Sequence, residues 1–282
     1  MIFPCSKIII IVGCQRSGTT LCGQILGAHE HTLLIDEADE LYSWFHAAVG
    51  ELDCATSLWQ NVLEKAQSKY VKPEMRIKKK NSEYSLADGI TTLVLKAPNL
   101  TFDFEAISQL NCLVHIIYPV RDPRSVVASM ARSPVPFVAN QLKHLKRVPA
   151  VGQIFSKDAS VLADETNPAW IRAAKVWAIK SNLASEFSKR GLPVFSFKYE
   201  NLVMNPKPLI DEFLAFCGLP ISNSPYHHEA IYQGYGPGKT HRERSIYTKS
   251  LDNWSSVLEN DQEEAVLNAC APHAASFGYC RP

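Results

Sequence analysis

The stretch Lys7-Ile8-Ile9-Ile10-Ile11-Val12 runs directly into Gly13-Cys14-Gln15-Arg16-Ser17-Gly18-Thr19-Thr20 and then into an apolar segment, Leu21 to Leu26. A β-branched run, a loop bounded by glycines and an apolar stretch in immediate succession predict a buried strand, a tight turn and a helix over Thr19 to Ala28. In that arrangement successive backbone N–H groups and the positive end of the helix converge on one place, which suits a cluster of anionic oxygens. The Gly-x4-Gly spacing matches a nucleotide-binding loop, but Thr19 stands where ATP- and GTP-dependent enzymes place lysine. Thr19 and Thr20 offer hydroxyls without the fixed cation that phosphoryl transfer with magnesium uses. Arg16 returns a positive charge to the loop. A glycine turn that binds nothing is the plain alternative, and the strand-loop-helix context disfavours it.

Working outward, Thr92 to Leu95, Leu113 to Tyr118 and Val194 to Phe197 read as further buried strands. Helices are expected over Ser57 to Tyr70, Pro123 to Ala131, Pro168 to Arg190, Pro206 to Cys217 and Asn260 to Cys270, several opened by Asp or Asn before proline. Strands alternating with helices predict an α/β fold of three layers, P-loop-type, with a central parallel sheet flanked by helices. The 282 residues are expected to form one domain over 1–282, with less regular insertions near 133–167 and 222–251. The triplet Gly234, Gly236 and Gly238 with Lys239 follows no strand, so it is not a second phosphate loop.

Composition narrows the function classes. With 46% hydrophobic and 20% charged residues and a net charge of +1, the chain carries no global basic field, and no basic stripe with interleaved aromatics suggests nucleic acid. The clusters Arg76 to Lys80 and Lys143 to Arg147 read as solvated charge. Eight cysteines show neither a CxxC pair nor zinc-ligand spacing with histidine, so no metal is expected. Several lie in apolar runs, which suits a reducing compartment; a Cys270 to Cys280 disulfide stays open. The only apolar run near the start, Ile8 to Val12, is too short for a membrane span, so no membrane anchor and a cytoplasmic location are expected.

With Arg16-Ser17-Gly18-Thr19-Thr20-Leu21 in place, the chain resembles the sulfotransferases that use 3′-phosphoadenosine 5′-phosphosulfate (PAPS), with its closest look to the tyrosylprotein and carbohydrate branch. Tyr118-Pro119-Val120-Arg121-Asp122-Pro123 to Ser129 is similar to the family's element for the 3′-phosphate, which implies that role for Arg121 and Ser129. Asp122 is placed to cap a helix beginning at Pro123. Ala28 to Glu37 stands where the tyrosylprotein branch carries an acidic pair, and the resemblance makes Glu37 the general base; Asp36, Asp39 and Glu40 are rivals, as more distantly are His29 and His31. An acidic helix start is the other reading of this cluster. Leu93-Val94-Leu95-Lys96-Ala97-Pro98 implies a lysine beside the transferring group, where its charge would offset that on the departing oxygen, although a strand-end lysine also reaches solvent. Phe195 to Leu202 resembles the family's strand-end tyrosine segment, which implies Tyr199 against the adenine, with core packing the alternative. Ser245 and Lys249, before Trp254, match the late basic loop as phosphate contacts, at a spacing that departs from the tyrosylprotein pattern.

Gly13, Lys96, Arg121 and Tyr199 each follow the carboxyl end of a predicted strand, the edge along which parallel sheets bind ligands. The implied arrangement has Arg16, Ser17, Gly18, Thr19 and Thr20 on the 5′-phosphosulfate, Arg121 and Ser129 on the 3′-phosphate, and Tyr199 on the base. Glu37, Lys96 and Arg16 would serve an in-line transfer of the sulfuryl group to a hydroxyl of a sugar, tyrosine or small molecule, with adenosine 3′,5′-bisphosphate (PAP) as product. A nucleotide-dependent kinase would require a lysine after Gly18 and a metal-holding acid, and neither is evident. A catalytically silent nucleotide-binding module would not need Glu37 and Lys96.

Overall fold

A computed structural model describes residues 7–37, 60–65, 78–80, 83–236 and 240–280. Asp39, Glu40, Arg76, Gly238, Lys239, Cys5, Cys54 and all but residues 60–65 of the helix expected at Ser57 to Tyr70 lie outside them. Residues 60–65 are helical.

The central sheet contains β1 (Lys7–Ile11), β2 (Thr32–Asp36), β5 (Thr92–Lys96), β6 (Leu113–Val120) and β7 (Val194–Lys198), in the order β2-β5-β1-β6-β7 and parallel throughout. Two short antiparallel pairs, β3 (Lys78–Lys80) with β4 (Glu83–Ser85) and β8 (Tyr235–Gly236) with β9 (Thr240–His241), lie outside it. The glycine loop thus leaves the middle strand. Period-two alternation divides β1 between the two faces: Ile8, Ile10 and Val12 join one apolar core, Ile9 and Ile11 the other. The first core takes in Val126, Val127, Trp177, Phe187 and Val266, and the second Ile25, Leu26, Phe213 and Leu214. Helices cover both faces, which is the three-layer arrangement expected from the sequence.

The structure differs from the expected elements in three places. Thr32–Asp36, outside the strands expected from the sequence, is a fully buried edge strand, because Leu33, Leu34 and Ile35 continue the core beside β5. Ser133 to Asn167 is not irregular: Phe137–Arg147, Pro149–Ile154 and Ser156–Ala163 are helical, the first with Gln141 and Leu145 turned inward four residues apart. The helix expected over Pro168 to Arg190 divides at Leu183 into Ala169–Asn182 and Ala184–Lys189, joined by a tight i to i+3 turn. Within 222–251 the described residues include short 3₁₀ turns, Ser224–Ala230 and Thr248–Ser250, and the β8–β9 pair. Cys270 and Cys280 are both free thiols.

Candidate active site

The loop after β1 is shaped by three residues with positive φ, Gly13 (125°), Arg16 (71°) and Gly18 (96°). Gly13 is tied to a following turn through its N–H donating to Thr101 Oγ1 at 2.8 Å. At Gly18 a side chain is excluded twice, by φ and by Tyr199, whose Cδ2 would stand 2.3 Å from an added Cβ. The helix Thr19–Gly27 begins at Gly18 without a side-chain cap, so its first N–H groups are left for an external acceptor. The hydroxyl of Ser17 is buried with no hydrogen-bond partner among the described residues.

One cavity, of about 410 Å³, opens beside this loop and is lined by Arg16, Thr19, Thr20, Arg121, Ser129 and Tyr199, together with Tyr247 and Asn253. Arg16 donates from Nε to Ser129 Oγ at 2.9 Å, and Arg121 donates from Nη1 to the Arg16 carbonyl at 3.0 Å. The Arg121 guanidinium lies 4.7 Å from the centre of the Tyr199 ring. Burial, and after it the positive charge of Arg121, hold the Arg16 pKa below its ordinary value. Two guanidinium groups brought together at a helix amino end make a strong site for a polyanion. The turn carrying Arg121 is held in turn: Trp177 Nε1 donates to its carbonyl at 2.8 Å, Asp122 caps the helix Pro123–Ala131, and the Asp122 N–H donates to Glu200 Oε1 at 2.9 Å.

A second cavity, of about 210 Å³, lies on the other side of the loop and shares Arg16, Thr19 and Thr20 with the first; Glu37, Gln15, Asn99 and Gln141 line it as well. Register explains the charges here. Asp36 and Lys96 are direct partners across β2 and β5, so both strands end at the same level. Lys96, 1% exposed, pairs with Glu37 and with Asp36 at 3.0 Å, and Arg242 reaches Asp36 Oδ2 at 2.6 Å. Burial pushes the Lys96 pKa down, but Asp36 and Glu37 outweigh it and the net shift is upward, so the lysine stays charged.

The structure therefore brings Arg16, Ser17, Gly18, Thr19, Thr20, Arg121, Ser129, Tyr199, Glu37 and Lys96 around one loop. Ser245 lies on a different cavity, with Pro206, Tyr226 and His228, and exposed Lys249 sits in the turn Thr248–Ser250 on neither of the two. His29 is fully buried, with Nε2 on the Pro220 carbonyl, and lines neither cavity. Sequence reasoning missed Arg242, Tyr247, Asn253 and Lys180. Lys180 is fully buried and bonds Gln15 Oε1 at 2.9 Å; its signal was a lysine directly after the apolar run Val176 to Ile179. Among the described residues no group of three or more His, Cys, Asp or Glu is placed to hold a metal ion, and no helix is long and apolar enough to cross a membrane.

A family model described as the sulfotransferase family matches residues 9–223. No curated protein matches the chain. Among solved structures, the sulfotransferase domain from the curacin biosynthetic pathway superposes with a TM-score of 0.59 at 15% identity, over 98% of this chain and 99% of that one. The sulfotransferase domain from the Synechococcus PCC 7002 olefin synthase gives 0.57 at 14% identity, over 99% and 96%. At these identities the likeness is one of fold.

Proposed function

This chain belongs to the sulfotransferase family, and we propose that it transfers the sulfuryl group of PAPS to an acceptor hydroxyl with Glu37 as general base. The observation that carries this reading is that two cavities meet on one loop: that of Arg121, Ser129 and Tyr199 and that of Glu37 share Arg16, Thr19 and Thr20. A donor in the first and an acceptor in the second face each other across the loop, the positioning that an in-line transfer requires.

The residues suit such a donor. Gly18 lets the Tyr199 ring pack against the loop, the helix amino end is uncapped, the Ser17 hydroxyl lacks a partner, and two arginines stand close together. The loop amides, Arg16, Thr19 and Thr20 hold the phosphosulfate, Arg121 and Ser129 the 3′-phosphate, and Tyr199 the adenine. PAPS supplies the sulfuryl group: its S–O bond to phosphate breaks as the bond to the acceptor oxygen forms, and the electron pair leaves with the bisphosphate. Glu37 accepts the hydroxyl proton, and Lys96 and Arg16 offset the charge on the departing oxygen.

The test is a thermal-shift titration with adenosine 3′,5′-bisphosphate, against ATP with magnesium, followed by transfer of labelled sulfate. At 100 times Kd the bisphosphate should add about 2.7 kcal/mol of stability, a gain absent in Arg121→Ala at the same concentration. Glu37→Gln should keep the binding and lose about 10²-fold or more in turnover. Stabilisation by ATP with magnesium alone would overturn the reading.

A further inference from the structure

The wall of the Glu37 cavity is built from carboxamides: Gln15, Asn99, Asn140 and Gln141 line it. Three of these are joined in a chain whose polarity is fixed from one end. Lys180, fully buried, carries only donors; it donates to Gln15 Oε1 at 2.9 Å and to the Pro98 carbonyl at 2.7 Å. Gln15 must then turn its amide nitrogen outward, and it donates to Asn99 Oδ1 at 2.5 Å. Asn99 Oδ1 accepts a second amide, from Gln141 Nε2 at 3.0 Å. This leaves Gln141 Oε1 as the free end of the chain. Gln141 is 1% exposed, and its Oε1 is buried with no hydrogen-bond partner among the described residues. A buried amide oxygen without a donor is unfavourable, and a group that supplies one is selected.

Resting on the sulfotransferase reading above, we propose that the acceptor is a compact polyol, with a second hydroxyl beside the reacting one donating to Gln141 Oε1. The orphan atom is an acceptor, so the incoming group must be a donor. Arg16 lines the same cavity, and the carboxylate of Glu37 is already paired with Lys96, so a neutral hydroxyl fits better than an ammonium. Phe137, Val135 and Pro98 supply the apolar remainder of the wall, suited to the C–H face of a small ring. In the transfer the reacting hydroxyl loses its proton to Glu37 and gains the sulfuryl group; the second hydroxyl keeps its proton, which is what makes it a donor to Gln141.

Sites built around a hydrogen bond to a substrate hydroxyl discriminate strongly against the analogue lacking it. The test measures sulfate transfer from PAPS to cis-cyclohexane-1,2-diol, cyclohexanol and 2-aminocyclohexanol, by the wild type and by Gln141→Met, with bisphosphate-induced thermal shift measured alongside. The diol should exceed both other acceptors about ten-fold or more in kcat/KM, and Gln141→Met should reduce the gap over cyclohexanol to within about three-fold while the bisphosphate shift persists. The comparison of acceptors on the wild type stands even where the variant does not fold. Equal rates for diol and mono-alcohol, a preference for the amine, or a diol preference that survives in Gln141→Met each overturn the inference. Bisphosphate binding without transfer to any of the three overturns it too and leaves the donor reading standing; absence of bisphosphate binding sinks the donor reading first.

Discussion

At the level of single residues, Gly18 shows how backbone and contact constraints separate. Gly18 and Gly89 both have positive φ, 96° and 85°, but an added Cβ at Gly89 meets nothing within 4 Å, whereas at Gly18 it meets the Tyr199 ring at 2.3 Å. Each glycine-to-alanine change therefore carries a backbone cost of about 1–2 kcal/mol, and only Gly18→Ala adds displacement of Tyr199 from beneath Arg121. Urea unfolding should show Gly89→Ala confined to that range and Gly18→Ala beyond it, with bisphosphate affinity lowered at least ten-fold only in Gly18→Ala. Equal stability losses with unchanged affinity would show that the ring yields freely. The motif around Gly18 was legible because its chemistry is contiguous in sequence. Arg242 and Lys180 were not, because their partners Asp36 and Gln15 stand 206 and 165 positions away.

At the level of elements, apolar runs in the sequence marked β1, β5, β6 and β7 to within two residues at each end, because each is a short stretch dominated by aliphatic or aromatic residues. β2 escaped: its apolar centre is only Leu33 to Ile35, too short a run to stand out beside the acidic pair Asp36 and Glu37. The helix Phe137–Arg147 escaped because prolines at 134 and 136 suggest a loop, although they precede the helix and do not interrupt it. That helix carries a pH-sensitive contact. His144 stacks on Phe102 at 6.3 Å, and its Nδ1 faces Arg147 Nη1 at 2.6 Å, which requires the neutral ring as acceptor. Burial first, then the charges of Arg147 and Lys180, hold its pKa down to about 4. A histidine with a folded value below the unfolded one, about 6.5, adds stability that is complete above 6.5 and is lost as pH falls toward 4. His144→Gln keeps an acceptor without titrating. The stability difference between wild type and this variant, read by urea unfolding from pH 7 to 5, should move against the wild type as pH falls; a flat difference would refute the assignment.

At the level of the whole molecule, the family match ends at residue 223, yet the chain beyond it helps to line the cavity of Arg16 and Arg121. Tyr247 and Asn253 line that cavity, Leu251 accepts from Ser125 through its carbonyl at 2.9 Å, and Arg124 lies 4.3 Å from the Trp254 ring while bonding Glu263 at 2.6 Å. The deepest of these ties runs through Tyr279. Its hydroxyl donates to Glu200 Oε2 at 2.7 Å, and Glu200 in turn accepts the N–H of Asp122, the residue after Arg121. Burial, then the charge of Glu200, raise the Tyr279 pKa far above its ordinary value, so the hydroxyl remains a donor at any working pH. In Tyr279→Phe one carboxylate oxygen of Glu200 loses its donor and the turn bearing Arg121 loses one of its supports. A stability loss of about 1–3 kcal/mol is expected, together with bisphosphate binding weakened several-fold, although Tyr279 lines neither cavity. Lys189→Ala, which removes an exposed partner of Glu186, should change stability by no more than about 0.5 kcal/mol and leave binding untouched. If Tyr279→Phe lowers stability but the bisphosphate titration is unchanged, the carboxyl-terminal segment covers the core without positioning Arg121.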